Sequence, residues 1–225
     1  RGGAPGLVGP GGGGNFLWGD GARDTDWAPS PGPPPADLEQ TAREVEALDR
    51  RVVAAVADVR SQADLDAAVQ KGLAEFGKID CLIANAGIFS MGNFWELEEQ
   101  TWNDMIDVVL TGVWKSIKAV TPHMIEREQG SIVITGSMDS LEGGPEYAHY
   151  AAAKHGVLGL MKSVALELGK YGIRANSVCP GFVDSGMTNN QITYDMVAGH
   201  PGGTREDFIY NGYNFTALKR VTAME

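Results

Sequence analysis

The chain has 225 residues and a formal net charge of −11 at pH 7. That length suffices for one α/β domain with a sizeable core. The acidic balance, with no cluster of Lys and Arg to offset it, argues against a nucleic-acid partner. No apolar stretch reaches the roughly 18 residues of a membrane span, and no secretory signal is evident. These features predict a cytoplasmic protein without a membrane partner.

The two cysteines, Cys81 and Cys179, are far apart in the sequence and form no CxxC pair. Their spacing does not suggest a disulfide framework. Cys81 falls in an apolar run, so we expect it to be a small buried residue in a reducing compartment. The histidines have no neighbours at metal-ligand spacing, and no metal site is predicted.

Residues 1–35 differ from the rest of the chain. Residues 1–36 hold seven of the eleven prolines and eleven of the thirty glycines. A segment with so few apolar residues cannot offset its ordering entropy, so we expect it to be disordered. The run Gly9–Gly14 matches the pattern GxGxxG. It lacks a strand before it and a helix after it, so it is not interpreted as a phosphate-binding loop.

Residues 36–225 show regular apolar periodicity, which predicts strands that alternate with helices. Such alternation is typical of an α/β fold with a doubly wound parallel sheet. After Gly181 the chain is predicted to be rich in loops. In chain order the predicted elements are helix 36–48, strand 52–56, helix 63–76 with Gly77 as its stop, strand 82–84, helix 98–128 interrupted at Pro122, strand 131–135, helix 148–171 and strand 174–178.

The residues most informative about chemistry are Tyr150, Lys154 and Ser137. Tyr150 and Lys154 are four residues apart, so on a helix they share one face. A neighbouring cation favours phenolate, and we therefore expect a lowered pKa for Tyr150 and a role as acid/base. Ser137 follows the buried strand 131–135, at the sheet edge where ligands bind in open α/β folds. Tyr and Lys at this spacing also occur by chance on amphipathic helices, so the surrounding pattern matters.

Four motifs in a fixed order make the chain resemble the short-chain dehydrogenase/reductase family. They are Asn85-Ala86-Gly87 after a strand, Ser137, Tyr150-x-x-x-Lys154 and Pro180-Gly181. The resemblance covers residues 36–225, which would form a partial Rossmann domain. Segments such as Ala153-Lys154-His155-Gly156-Val157 are most similar to the carveol-dehydrogenase-like, mycofactocin-coupled oxidoreductases.

This resemblance implies an NAD-dependent oxidoreductase that interconverts a small apolar secondary alcohol and its ketone. Tyr150 would be the acid/base, Lys154 would bind the nicotinamide ribose, and Ser137 would hold the substrate oxygen. The family also forms oligomers through the helices that carry Val109 and Tyr150, which implies a homo-oligomer. The remaining residues implied to contact NAD are Asp58 and Val59 near the adenine, Asn85, Ala86 and Gly87 along the cofactor, and Pro180, Gly181, Val183 and Ser185 near the nicotinamide.

The sequence also departs from the family pattern. The family's first two strands, its TGxxxGxG phosphate turn and its last strand are not evident in the sequence. Strand 82–84 would then have an open edge, which is an aggregation hazard. The family's helix asparagine, which supports a proton relay behind the lysine, aligns with Val109. An alternative expectation is therefore a truncated, non-catalytic remnant that binds cofactor poorly and pairs with a homologous subunit.

Overall fold

The structure is a computed structural model, and it describes residues 35–212. The predicted disordered segment 1–35 lies outside the described residues, apart from its last position. The described residues fall into two compact units, residues 35–179 and residues 180–212. Within residues 35–212 no helix has both the length and the apolar character needed to cross a membrane.

The first unit alternates helices with three parallel strands. Its second helix, α2 (Gln62–Phe76), begins one residue earlier than predicted, after Ser61, whose hydroxyl accepts from the Asp64 N–H. It ends at Gly77, as predicted, and Gly77 has φ +75°. The left-handed conformation of Gly77 lets its N–H bond to the Leu73 carbonyl at 2.8 Å. In chain order the elements are α1 (Pro35–Ala47), α2 (Gln62–Phe76), β1 (Cys81–Ala84), α3 (Glu99–Ile106), α4 (Gly112–Glu126), β2 (Gly130–Thr135), α5 (Ala148–Leu168) and β3 (Ile173–Val178).

The three strands form a parallel sheet in the order β1-β2-β3. Leu82 of β1 lies opposite Ile132 of β2, which lies opposite Ala175 of β3. All three carboxyl ends therefore meet at one edge of the sheet, where open α/β folds bind ligands. The predicted α/β class with a parallel sheet is confirmed.

Helices α4 and α5 lie on the same face of this sheet. The connections from β1 to β2 and from β2 to β3 advance in one direction, and right-handed crossovers then place both helices on one side. The largest cluster of buried side chains joins these helices to the sheet. Its members include Ile117, Val120, Met124, Ile132, Ile134, Val157, Ile173 and Ala175.

The other face of the sheet is less covered in residues 35–179. Ile83 of β1 and Val178 of β3 are 63% and 56% exposed. Cys81 lies two positions before Ile83, on the same side of the strand, and it is exposed too. The prediction that Cys81 is buried is therefore wrong. The open edge predicted for strand 82–84 agrees with the pairing, since β1 pairs with β2 alone among the described strands.

Two predicted elements, strand 52–56 and helix 98–128, differ from the structure. Residues 52–56 form no strand, and Ala54 alone among them makes a bridge pairing, because a strand needs a paired neighbour along its length. Pro122 lies inside α4, and the helix continues through it to Glu126, although a proline there removes one N–H donor and its ring crowds the carbonyl four residues earlier. The irregularity lies earlier, at Asp107–Thr111, where the chain forms a wider π-helical turn between α3 and α4.

The second unit contains two short helices where the sequence predicted loops. They are α6 (Gln191–Ala198) and α7 (Arg205–Gly212). The Asn190 side chain accepts from the Thr193 N–H at 3.0 Å and so caps α6. Phe208 is 1% exposed and meets Phe182 edge to face, with ring centroids 5.5 Å apart. This aromatic contact gives the unit its own small core.

We expect Ile132→Ala to lower the free energy of unfolding by about 2–5 kcal/mol, because it leaves a cavity in the core. Ile132 is fully buried, at 0% exposure. Ile83→Ala is the matched control, because Ile83 lies on the neighbouring strand and is largely exposed, and we expect it to cost less than ~1 kcal/mol. Chemical denaturation measures both values. Equal losses for the two variants would contradict the described burial.

Candidate active site

The structure brings Ser137, Tyr150 and Lys154 together beyond the carboxyl end of β2. Tyr150 and Lys154 lie one turn apart on α5, and Ser137 follows β2 by two residues. All three are buried, at 7%, 8% and 5% exposure in sequence order. The Ser137 hydroxyl is close enough to the Tyr150 phenol to influence its titration. The Lys154 Nζ lies 5.6 Å from the centroid of the Tyr150 ring.

A tight turn fixes the Ser137 side chain. The Ser137 N–H donates to the Ser140 Oγ at 3.0 Å, and the Asp139 N–H donates to the Ser137 Oγ at 3.1 Å. Gly136, just before this turn, is in close contact with β3, since a Cβ there would lie 2.9 Å from both the Cys179 Sγ and the Ser177 Oγ. A larger residue at position 136 would push Ser137 out of place.

Main-chain and side-chain hydrogen bonds connect Lys154 to two strands. Its ammonium donates to the Thr135 carbonyl at 2.7 Å, at the end of β2. The Thr135 hydroxyl donates in turn to the Asn85 Oδ1 at 2.9 Å. Asn85 follows β1 and begins the predicted cofactor-binding run Asn85-Ala86-Gly87. The structure therefore links this run to Lys154 through Thr135, a residue that the sequence did not single out.

Burial has the largest effect on the pKa values of Tyr150 and Lys154. Desolvation raises the pKa of Tyr150 to about 12, although the nearby Ser137 hydroxyl acts in the opposite direction. Desolvation also lowers the pKa of Lys154 to about 8. The predicted lowering of the Tyr150 pKa is therefore wrong for this structure, because burial raises this pKa and the neighbouring Lys154 does not offset the effect.

An aromatic cluster surrounds the phenol. The Phe89 ring meets Tyr150 edge to face, with centroids 5.0 Å apart, and lies 5.9 Å from Tyr147. The loop that carries Phe89 is tied to α5 through Ser90, whose Oγ lies 2.7 Å from the His149 Nε2. Sequence reasoning missed Phe89, although its place two residues after Gly87 could have suggested it.

Val109 lies in the π-helical turn and is 1% exposed. It packs in one cluster with Met105, Tyr150 and Ala153. At this position the chain places an apolar side chain beside the phenol, so Val109 supplies burial and no hydrogen bond.

Asp58 and Val59 lie in the first unit, shortly before α2. Arg60 donates to the Asp58 carboxylate at 2.7 Å, and this bond holds the pKa of Asp58 below its usual value. Val59 packs on Gly112, where a Cβ would lie 2.7 Å from the Val59 Cγ2. This contact requires glycine at the start of α4. The contact of Asp58 and Val59 with adenine stays a prediction.

The predicted nicotinamide residues Pro180, Gly181, Val183 and Ser185 belong to the second unit. There the Thr188 hydroxyl donates to the Val183 carbonyl, and the Ser185 N–H donates to the Thr188 Oγ1 at 3.2 Å. These bonds fix the local turn. The role of the four residues toward a cofactor stays a prediction.

Comparison with known proteins gives a consistent set of relatives. A family model described as short chain dehydrogenase matches residues 33–195. An uncharacterized NAD-dependent oxidoreductase of Mycobacterium tuberculosis is 42% identical over 173 residues, which cover 75% of this chain and 63% of that protein. The (−)-trans-carveol dehydrogenase of Rhodococcus erythropolis is 43% identical over 175 residues, with coverage of 76% and 63%.

The fold has solved counterparts as well. The crystal structure of carveol dehydrogenase from Mycobacterium avium in complex with NAD superimposes with a TM-score of 0.81 at 38% identity. The match covers 86% of this chain and 71% of that one. The chain spans about 63% of the length of the curated relatives described above.

A buried histidine beside the site makes stability depend on pH. His149 is 0% exposed, and burial lowers its pKa from 6.5 to about 4. Between these values the unfolded chain binds a proton that the folded protein does not, so stability falls as pH decreases through this window. We expect His149 to account for a loss of up to about 3 kcal/mol between pH 7 and pH 4.

Chemical denaturation at several pH values measures this effect as the difference between the wild type and His149→Gln. The control is His155→Gln, because His155 lies on the same helix but is exposed. We expect the wild type and the control to lose stability in parallel, and His149→Gln to lose less. Identical pH slopes for all three proteins would contradict this assignment.

Proposed function

The chain belongs to the short-chain dehydrogenase family, and on that basis we propose an NAD-dependent oxidoreductase that interconverts a small apolar secondary alcohol and its ketone. The observation that carries the proposal is the buried Tyr150 phenol, which lies near the Ser137 hydroxyl and has Lys154 one helical turn away. This arrangement combines a proton donor, a hydroxyl that can hold an oxygen, and a cation.

The described residues fit the nicotinamide-ribose part of NAD. A Lys ammonium has three donors, and the Thr135 carbonyl takes one of those of Lys154. The others suit ribose hydroxyls. At Gly87 a Cβ would meet only the Asn85 carbonyl oxygen, at 3.9 Å, so the backbone offers room for close approach. A turn of the GxGxxG pattern between a strand and a helix, the usual pyrophosphate site, is not among residues 35–212.

When NAD is bound, it accepts or supplies the hydride. The protein then has to move a proton and hold the substrate. For ketone reduction Tyr150 gives its phenolic proton to the substrate oxygen, and its high pKa keeps that proton in place at neutral pH. For alcohol oxidation the same oxygen takes the hydroxyl proton. Ser137 holds the substrate oxygen in both directions.

The surroundings of the phenol favour an apolar substrate. Phe89 and Tyr147 present ring surface next to Tyr150, and apolar ring surface gains free energy when an apolar substrate excludes water from it. One relative is named a (−)-trans-carveol dehydrogenase, which makes trans-carveol the first substrate to assay. A homo-oligomer, a cytoplasmic location and coupling to mycofactocin remain proposals that rest on the family resemblance.

We expect Tyr150→Phe to lower kcat for trans-carveol oxidation by ~10²–10⁴-fold, because it removes the acid/base oxygen and keeps the ring. The Phe89 contact should survive, so the thermal midpoint should change little. Absorbance of NADH at saturating NAD measures the rate.

Tyr147→Phe is the matched control. Tyr147 lies three residues before Tyr150 and contacts the same Phe89 ring, but it has no acid/base role in the proposal. We expect it to retain at least ~10% of the wild-type rate. A comparable loss in both variants, or no loss in Tyr150→Phe, would contradict the assignment of Tyr150.

Calorimetric titration with NAD separates the enzyme from the non-catalytic alternative. We expect saturable binding that weakens at least ~10-fold in Lys154→Met, which removes the ammonium donors. Lys118→Met is the control, because Lys118 lies on α4 with its Nζ over the Trp114 ring, 5.1 Å from the centroid, and no cofactor role is assigned to it. Absence of saturable binding by the wild type would favour the alternative.

A further inference from the structure

The segment between β1 and α3 brings Phe89 into the site without belonging to a helix or a strand. Residues 85–93 form neither element, so no ladder of main-chain bonds fixes them. The Phe89 ring is half-buried and meets the Tyr150 ring edge to face, with centroids 5.0 Å apart and planes at 89°. The position of this ring therefore depends on contacts between the segment and the chain around Tyr150.

Two hydrogen bonds hold the segment directly after Phe89. The Ser90 Oγ lies 2.7 Å from the His149 Nε2, and the Gly92 N–H donates to the Glu146 carbonyl at 2.6 Å. Glu146 has φ +67°, a left-handed conformation that residues with a side chain rarely adopt. The two bonds attach residues 90–92 to the residues just before Tyr150.

His149 is the buried partner in this attachment. It is 0% exposed and precedes Tyr150 on α5. A hydroxyl can donate or accept, so the bond to Ser90 forms with either tautomer of the imidazole. Among residues 35–212 the His149 Nδ1 is buried and finds no hydrogen-bond partner. An unpaired buried polar atom costs stability, so a histidine here is a poor choice for stability alone, and the contact that it supplies is with Ser90.

We propose that His149 is a positioning residue that, through Ser90, holds Phe89 as a fixed wall beside the Tyr150 phenol, and that this wall selects ring-bearing apolar alcohols over open-chain ones. This inference rests on the proposed function, since it concerns the substrate of the same site. A ring that is already held in place offers its surface without a further loss of freedom, and a rigid cyclic substrate also loses little on binding. An open-chain alcohol has to fix several rotatable bonds against the same surface.

Ser90→Ala tests the positioning step without substrate or cofactor, because it removes only the hydroxyl that bonds to His149. The measurement is the ¹H chemical shift of the Tyr150 ring in protein labelled at tyrosine, assigned with Tyr150→Phe. Phe89→Leu defines the change that follows loss of the neighbouring aromatic ring. We expect Ser90→Ala to move the Tyr150 signal in the same direction by at least about a third of that change, since the shift depends on the distance and tilt of the two rings. Ser90→Thr keeps the hydroxyl and should stay close to the wild type.

The second measurement is the ratio of kcat/KM for trans-carveol, which contains a ring, to kcat/KM for 2-hexanol, an open-chain secondary alcohol. We expect Ser90→Ala and His149→Leu each to lower this ratio ~3–10-fold, and the double variant to lower it no further, because both changes remove one shared contact. A glutamine amide can take the place of the Nε2, so His149→Gln should stay within ~2-fold of the wild-type ratio. A residue that only supports the fold would affect both alcohols alike and leave the ratio unchanged.

Ser131→Ala is the matched control. Ser131 is also half-buried, and its hydroxyl accepts from the Arg174 side chain at 3.2 Å, but it lies near the start of β2, at the opposite end of the strand from the site. We expect the Tyr150 signal and the ratio of this variant to match those of the wild type.

A Tyr150 signal in Ser90→Ala that coincides with the wild type would overturn the inference, and so would an unchanged ratio in Ser90→Ala or Phe89→Leu. Should Ser90→Ala fail to fold, His149→Leu and its rescue by His149→Gln decide the same question. Absence of trans-carveol turnover in the wild type would count against the proposed function, and the NMR comparison would still decide whether Ser90 and His149 position Phe89.

Discussion

The site depends on one buried ion-to-carbonyl contact, the bond from the Lys154 ammonium to the Thr135 main chain. A buried cation is costly unless it is paired or hydrogen-bonded. Thr135 ends β2, so its carbonyl lies at the edge of the sheet where α5 begins to pack. The bond fixes the rotation of α5 on the sheet. Tyr150, one turn earlier on the same face, is thereby directed at Ser137.

Burial also determines the protonation of the site. Both neighbours are removed from water, and desolvation favours the neutral form of each, which raises the pKa of Tyr150 and lowers that of Lys154. The two effects bring the pKa of the amine close to neutral and move the pKa of the phenol far above it. A protonated phenol next to an amine whose pKa is lowered is suited to proton donation. The same tight packing that places the groups therefore biases the direction of the proton.

The sequence predicted the parts of this arrangement that depend on local pattern. Helical spacing alone places Tyr150 and Lys154 on one face, and an apolar run places Ser137 after a strand. The Thr135 carbonyl was not predictable, because a main-chain atom has no sequence signature. The strand expected at 52–56 failed for a related reason, since a strand depends on a neighbour that its own residues do not encode. The predicted direction of the Tyr150 pKa shift was wrong because burial arises from tertiary packing, which the local sequence pattern does not show.

Val109 contributes to the burial of Tyr150. Its side chain lies in the π-helical turn and cannot hydrogen-bond. It belongs to the same buried cluster as Tyr150 and so adds to the desolvation of the phenol. A carbonyl oxygen is an acceptor only, and the Thr135 carbonyl therefore cannot pass a proton onward from Lys154. The Ser137 hydroxyl donates to the half-buried Asp139 carboxylate at 2.9 Å. The hydrogen bonds that hold Ser137 in place therefore come from its own turn, and the apolar π-helical turn contributes burial alone.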